Sequence, residues 1–321
     1  MLEIPRARIT AIAGARSARE LQPHLQGALE LKIAAIPPYL TALFSLCEGK
    51  NSTIREMLRG AVVDEMLHVA LIANLLNAMR CPPVLSASRL ARGYPARLPL
   101  DATGVELSLK KFSLDLVRDV FMALDQSADR GDAPNLAAGA RVTLGQFYGA
   151  IIEKLEELGD PVFIGDPALQ FMDAVSYSER ELFRVYNAES AIRALRLISG
   201  EGNCSASGAA GSARWHRLSQ IVCAPPRSKA AAFDPASVIN IVENSRASMY
   251  QPRSPVRAAV DAFNAAYCNV LAALNESFNG RPDRYELAVS GMYGLTGLAR
   301  SIVAIERGDG TFAAPSFECG E

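Results

Sequence analysis

The chain has 321 residues, half of them apolar and about a fifth charged, with a formal net charge of −1. That length is enough for one large core or two smaller ones. The near-neutral balance, without a long basic run, argues against nucleic acid or an anionic membrane as the main partner. The opening MLEIPRARITAIAGARSARELQ has no apolar core of signal-peptide length, and no stretch approaches the roughly eighteen apolar residues of a membrane span. Six cysteines (47, 81, 204, 223, 268 and 319) are scattered without Cys-x-x-Cys spacing. They read as separate thiols in a reducing compartment, with the cytoplasm as the expected location.

Helical periodicity dominates in chain order. Leu21, Leu25, Ala28, Leu29, Lys32 and Ile36 form the stripe of a first helix, which Pro37 and Pro38 are expected to kink or break before Tyr39 to Leu46 resume. Asn51, Ser52 and Thr53 are capping types for a second helix that runs to about Met79, where Cys81-Pro82-Pro83 stops it. Residues 80–111 read as a long ordered loop with a short strand near Val105–Leu109. A third helix spans about Ser113–Gln126, and residues 127–139 form an exposed insertion. Helical pattern returns at Arg141–Leu158 and again at about Tyr186–Ile198. The small-residue loop SGEGNCSASGAAGS (199–212) then precedes a short helix at Trp215–Val222. Two long patterns, Pro255–Phe278 and Arg281–Glu306, joined by Asn279-Gly280, predict an antiparallel hairpin. The expected class is all-α, with a bundle over 1–224 and a helical extension over 225–321 packed on it.

The chemistry concentrates in the second helix. Leu58, Ala61, Glu65, His68, Ile72, Leu76 and Met79 recur at three- and four-residue steps and make one apolar stripe with two polar members at its middle. A buried carboxylate costs several kcal/mol unless it is paired or bound. Glu-x-x-His sets both side chains one turn apart on one face, the unit from which carboxylate-bridged metal sites in bundles are built. The alternative is a buried Glu–His or Glu–Lys pair. Lys32 interrupts the first stripe in the same way: it either snorkels outward or reaches a carboxylate such as Glu65. Glu30 projects to the opposite side. His24 reads as a solvated helix residue. Asp125, close to the apolar face of the third helix, and Glu153, opposite Phe147, Ile151 and Leu155, are weaker metal candidates; their plainer readings are a C-terminal polar residue at the helix edge and a surface charge, respectively. No Gly-x-Ser-x-Gly, P-loop or dinucleotide fingerprint is present.

Several segments taken together resemble the ferritin-like family of the iminophenylpyruvate dimer synthases. They are LQGALELKIAAIPPYLTALFSL (25–46), VVDEMLHVALIANLLNAM (62–79), YPARLPL (94–100), GQFYGAI (145–151), AIRALRLISGEG (191–202), WHRLSQI and the closing TFAAPSFE (311–318). The resemblance implies a ferritin-like four-helix core, one or two iron ions at its centre, and O₂-dependent oxidase or oxygenase chemistry on a small organic metabolite in natural-product biosynthesis. It carries the family's ligands onto Glu65, His68, Glu201 and His216. Two departures stand out: Lys32 occupies a usual Glu position, and Gln146 stands where an acid is frequent. With one acid lost and a cation gained, what remains suits one iron in a two-His, one-carboxylate site. Lys32 would then stabilise an anionic substrate or intermediate, or act as an imine-forming amine. The rival expectation is a metal-free relative acting as a binding or scaffold subunit, with Lys32 paired to Glu65. A homodimer is the expected assembly.

Overall fold

The frame of the fold is a pair of 27-residue helices, α2 (Ala18–Phe44) and α3 (Ser52–Ala78), folded back on each other across residues 45–51. The computed structural model describes residues 1–85, 93–125, 140–173, 177–200, 213–223 and 233–319. Before this pair come a short strand β1 (Glu3–Pro5) and helix α1 (Arg6–Gly14). After it come α4, continuous through Leu114–Leu116, a π-turn at Val117–Phe121 and Met122–Asp125, then strand β2 (Arg141–Thr143) and α5 (Leu144–Leu158). Helices α6 (Ala188–Ile198), α7 (Ala213–Cys223), α8 (Pro255–Ser277) and α9 (Arg284–Val303) complete the order. The class is all-α, as expected. The little sheet pairs β1 with β2 antiparallel, Ile4 opposite Val142, and so clamps the N-terminus to the start of α5.

Each apolar stripe ends up against a neighbour. Leu25, Leu29, Leu58, Ile72, Leu76, Phe147, Ile151, Leu195, Leu271 and Leu295 all belong to one buried cluster. The hairpin of α8 and α9 therefore shares its core with the preceding bundle. By length and composition α3 would qualify to cross a membrane, and 67% of its most apolar window is buried against the rest of this chain.

Several expectations change. Pro37 and Pro38 do not break α2, which runs through both. A proline removes the N–H that would bond the carbonyl four residues earlier. At Pro38 the orphaned acceptor is Ala34, and the Tyr94 hydroxyl donates to it at 2.8 Å. No strand forms at 105–109. Instead the Asn244 side chain accepts from the Leu109 N–H and its backbone N–H donates to the Leu109 carbonyl, both at 2.8 Å, so a loop does a strand's work. His24 is buried where α1 packs on α2, not solvated, and burial, then the Arg8 charge, lowers its pKa. Cys268 and Cys319 are joined in a disulfide that ties the tail to α8, so these two thiols are not separate.

Two asparagines on α3 hold long connections in place. Asn74, fully buried, donates to the carbonyls of Phe171 and Phe183 and accepts from the Phe171 N–H at 2.7 Å. Asn77 donates to Leu169 and Phe278. Gly165 closes on the end of α3 so tightly that an added Cβ would lie 1.8 Å from the Asn77 carbonyl oxygen.

Candidate functional site

Because Lys32 and Glu65 sit near the middles of α2 and α3, the folding back of the two helices brings them face to face. Lys32 is 6% exposed and Glu65 1%. The Lys32 Nζ lies 3.5 Å from Glu65 Oε2, and His68 Nδ1 lies 3.7 Å from the same oxygen. One carboxylate oxygen thus faces an ammonium from the partner helix and an imidazole one turn along its own. A carboxylate in this apolar setting stays ionised only with a cation beside it, and Lys32 supplies that cation.

Tyr148 from α5 joins the cluster. It lies on the interior stripe with Phe147 and Ile151, and its hydroxyl has no hydrogen-bond partner among the described residues. Burial, and then the Glu65 charge, push its phenol well above the ordinary value of 10. By sequence, Tyr148 within GQFYGAI (145–151) reads only as an aromatic of the helix interior. The available signal was a hydroxyl on a stripe with no polar neighbour of its own.

The remaining candidates scatter. Glu30, two residues from Lys32, accepts from Gln26 Nε2 at 3.0 Å. Gln146 caps α5: its side chain accepts from the Thr143 N–H while Thr143 Oγ1 accepts from the Gln146 N–H. An acid at this position would serve the same capping box. Glu153 is exposed on the outer face of α5, opposite the apolar stripe, in keeping with its plainer reading as a surface charge. Asp125 is half-buried at the end of α4. Glu201 and the loop 201–212 lie outside the described residues. His216 is half-buried on α7, which packs on α3 and α4 and is pinned by Arg217 donating to Asp64 at 3.0 Å. Its Nε2 is buried without a hydrogen-bond partner among the described residues, and its ring meets Trp215 edge-on at 5.3 Å.

Among the described residues, the cluster does not fit a pair of metal ions. A cation on the Lys32 side of Glu65 would meet the ammonium, and two like charges there repel by several kcal/mol. Among the described residues, no three His, Cys, Asp or Glu side chains converge as a metal would need. What the arrangement offers is a buried ammonium, a carboxylate, an imidazole and a phenol within an apolar bundle.

Comparison with known proteins adds two findings. A family described as Ferritin-like matches residues 25–221, more than half of the chain. The solved structure of a ferritin-like protein from Caulobacter vibrioides superposes with a TM-score of 0.60 at 22% identity, covering 88% of this chain and 93% of that one, which is a likeness of fold. No curated protein matches.

Proposed function

The chain belongs to the ferritin-like family, and on that premise we propose that it is a metal-free relative acting as a binding or scaffold subunit for a small organic molecule. The observation that carries this reading is the Lys32–Glu65 pair at 3.5 Å, buried at the bundle centre. In the iron-binding pattern that the sequence resembles, a carboxylate at position 32 would help neutralise the metal. Here position 32 carries the positive charge itself, so the bundle is electrostatically complete without an ion. The narrower likeness to the iminophenylpyruvate dimer synthases rests on the sequence segments alone. The same proposal takes a homodimer as the assembly, with neither nucleic acid nor membrane as partner; the Cys268–Cys319 disulfide removes the scattered-thiol argument for a reducing cytoplasm.

A second reading keeps the non-haem iron oxidase or oxygenase of natural-product biosynthesis, and the His216 Nε2, without a hydrogen-bond partner among the described residues, favours it. An aromatic nitrogen left unsatisfied in the interior is what a histidine ligand leaves when its ion is taken away. Glu65, His68 and His216, with Glu201, would hold one iron, which would supply O₂ activation. Lys32 would then hold an anionic substrate group, and the apolar helices would keep water away.

The two readings separate on metal content. Protein purified without added iron, then exposed anaerobically to ferrous iron and desalted, is expected to carry far less than one iron per chain by elemental analysis. One tightly held iron per chain, lost in His68→Ala and His216→Ala, would overturn the metal-free reading and establish the second.

A further inference from the structure

Three helices carry aligned stripes that lead from an apolar cavity to a group of arginines, away from the Lys32–Glu65–His68 cluster. On α3 the residues Arg55, Arg59, Val62, Met66 and Val69 follow one another at steps of four and three, so they share one face. Val62, Met66 and Val69 line a cavity of about 80 Å³ between α2, α3, α8 and α9. Arg55 and Arg59 line a second pocket of about 220 Å³ at the N-terminal end of the same face. Helix α9 repeats the order, with Met292 and Leu295 on the cavity and Thr296 and Arg300 on the pocket. So does α2, with Ile36 and Leu40 on the cavity and Leu43 on the pocket. Phe44 is a wall of both.

The pocket is cationic for its size. Three guanidinium groups meet one acid, Glu48, which pairs with Arg300 at 2.9 Å and is largely exposed. Arg55 donates through Nη2 to the Leu46 carbonyl, yet its Nε is buried without a hydrogen-bond partner among the described residues. Burial, then the charges of Arg59 and Arg300, hold its pKa below the usual guanidinium value, so the three cations feel one another. A folded chain gathers like charges at a common wall only at a cost, which a bound anion removes. The cavity has the opposite character. Its walls are aliphatic, aromatic and thioether side chains, with methionines from α3 and α9 that adapt to an irregular apolar guest.

We infer that this face binds an amphipathic organic anion, its carboxylate on Arg55, Arg59 and Arg300 and its apolar body running past Phe44 into the cavity. Arg59 and Met66 are seven residues apart on α3, about 10 Å along the helix axis, which sets the ligand's scale at that of a medium-chain acyl carboxylate. The site uses none of the residues of the proposed function and stands independently of it.

Sodium decanoate is the probe, titrated calorimetrically into the full chain, with decanol and sodium acetate as the single-feature controls. Decanoate is expected to bind, and each control to bind at least about tenfold more weakly, because each keeps only one half of the recognition. Arg300→Gln, at a half-exposed position, is expected to weaken decanoate about tenfold and leave decanol unchanged. Met66→Trp, which fills the cavity, is expected to abolish decanoate binding while circular dichroism and the melting temperature confirm the fold. No decanoate binding to the wild-type chain, equal affinity for decanol, or unaltered decanoate affinity in either variant would overturn the inference.

Discussion

Replacing Lys32 with methionine tests the bundle centre directly. Methionine is unbranched and keeps most of the apolar stem, while removing the ammonium group. At 3.5 Å and an effective dielectric of about 20, the attraction between Lys32 and Glu65 is about 5 kcal/mol. The variant leaves Glu65 buried beside His68 and an un-ionised Tyr148, so most of that attraction is lost while the carboxylate's desolvation remains. Breaking a buried pair from one side costs about 3 to 5 kcal/mol. With a urea slope of about 3 kcal/mol/M, the unfolding midpoint falls by about 1 to 1.7 M. The double variant Lys32→Met with Glu65→Leu removes both charges, and it is expected to return to within about 1 kcal/mol of the wild type, since an apolar replacement of a buried pair is close to neutral. Equilibrium urea unfolding followed by circular dichroism reads both. A midpoint shift below about 0.3 M in the single variant, or a double variant no more stable than the single, would refute the view that Lys32 is the charge partner of Glu65.

Further outcomes follow from other parts of the fold. Lys32→Glu replaces the cation with an acid facing Glu65, and elemental analysis is expected to find more bound iron per chain than in the wild type; no gain would mean that Lys32 is not what keeps metal out. Tyr94, Tyr148 and Tyr267 are buried phenols whose pKa values are raised by burial above the ordinary 10. Their neutral forms stabilise the fold fully below pH of about 10, and that contribution is lost as pH climbs toward the raised values. Tyrosinate absorbance should therefore show a late group that appears only with loss of helicity, and reversible titration of every tyrosine near pH 10 with intact helicity would contradict this. Asn74→Leu leaves two buried carbonyls and one N–H without partners and is expected to cost about 3 kcal/mol or more, with hydrogen exchange rising first around residues 169–173. Reducing the Cys268–Cys319 bond, which closes 51 residues of chain, is expected to cost about 4 kcal/mol by loop entropy, read as a lower unfolding midpoint in dithiothreitol.

The all-α class and the central cluster were legible because each rests on period alone. Glu65 and His68 break an apolar stripe at helical spacing, and Lys32 does the same on the preceding helix; a short link between two long helices makes their middles meet. The weak points lay where a distant partner reverses a local rule. Pro37-Pro38 reads as a break until Tyr94, more than fifty residues on, satisfies the freed carbonyl of Ala34. His24 reads as solvated until α1 covers it. Cys268 and Cys319 carry no spacing signal, because their pairing depends on where the tail returns. Tyr148 looks like any core aromatic unless the charge opposite it is known. Glu201 lies outside the described residues, so its assignment rests on the resemblance.

Helix α3 bears polar groups at three levels along its length: Arg55 and Arg59 near its start, Glu65 and His68 at its middle, Asn74 and Asn77 near its end. Neighbouring levels are roughly 10 to 15 Å apart at 1.5 Å per residue, and each engages a different part of the chain. The helix therefore acts as a ruler with fixed angular marks. One residue inserted between Arg59 and Glu65 would swing the first level by about 100° against the other two. A substitution disturbs one mark, whereas an insertion or deletion misaligns all of those beyond it. This segment should accept changes of letter far more readily than changes of length.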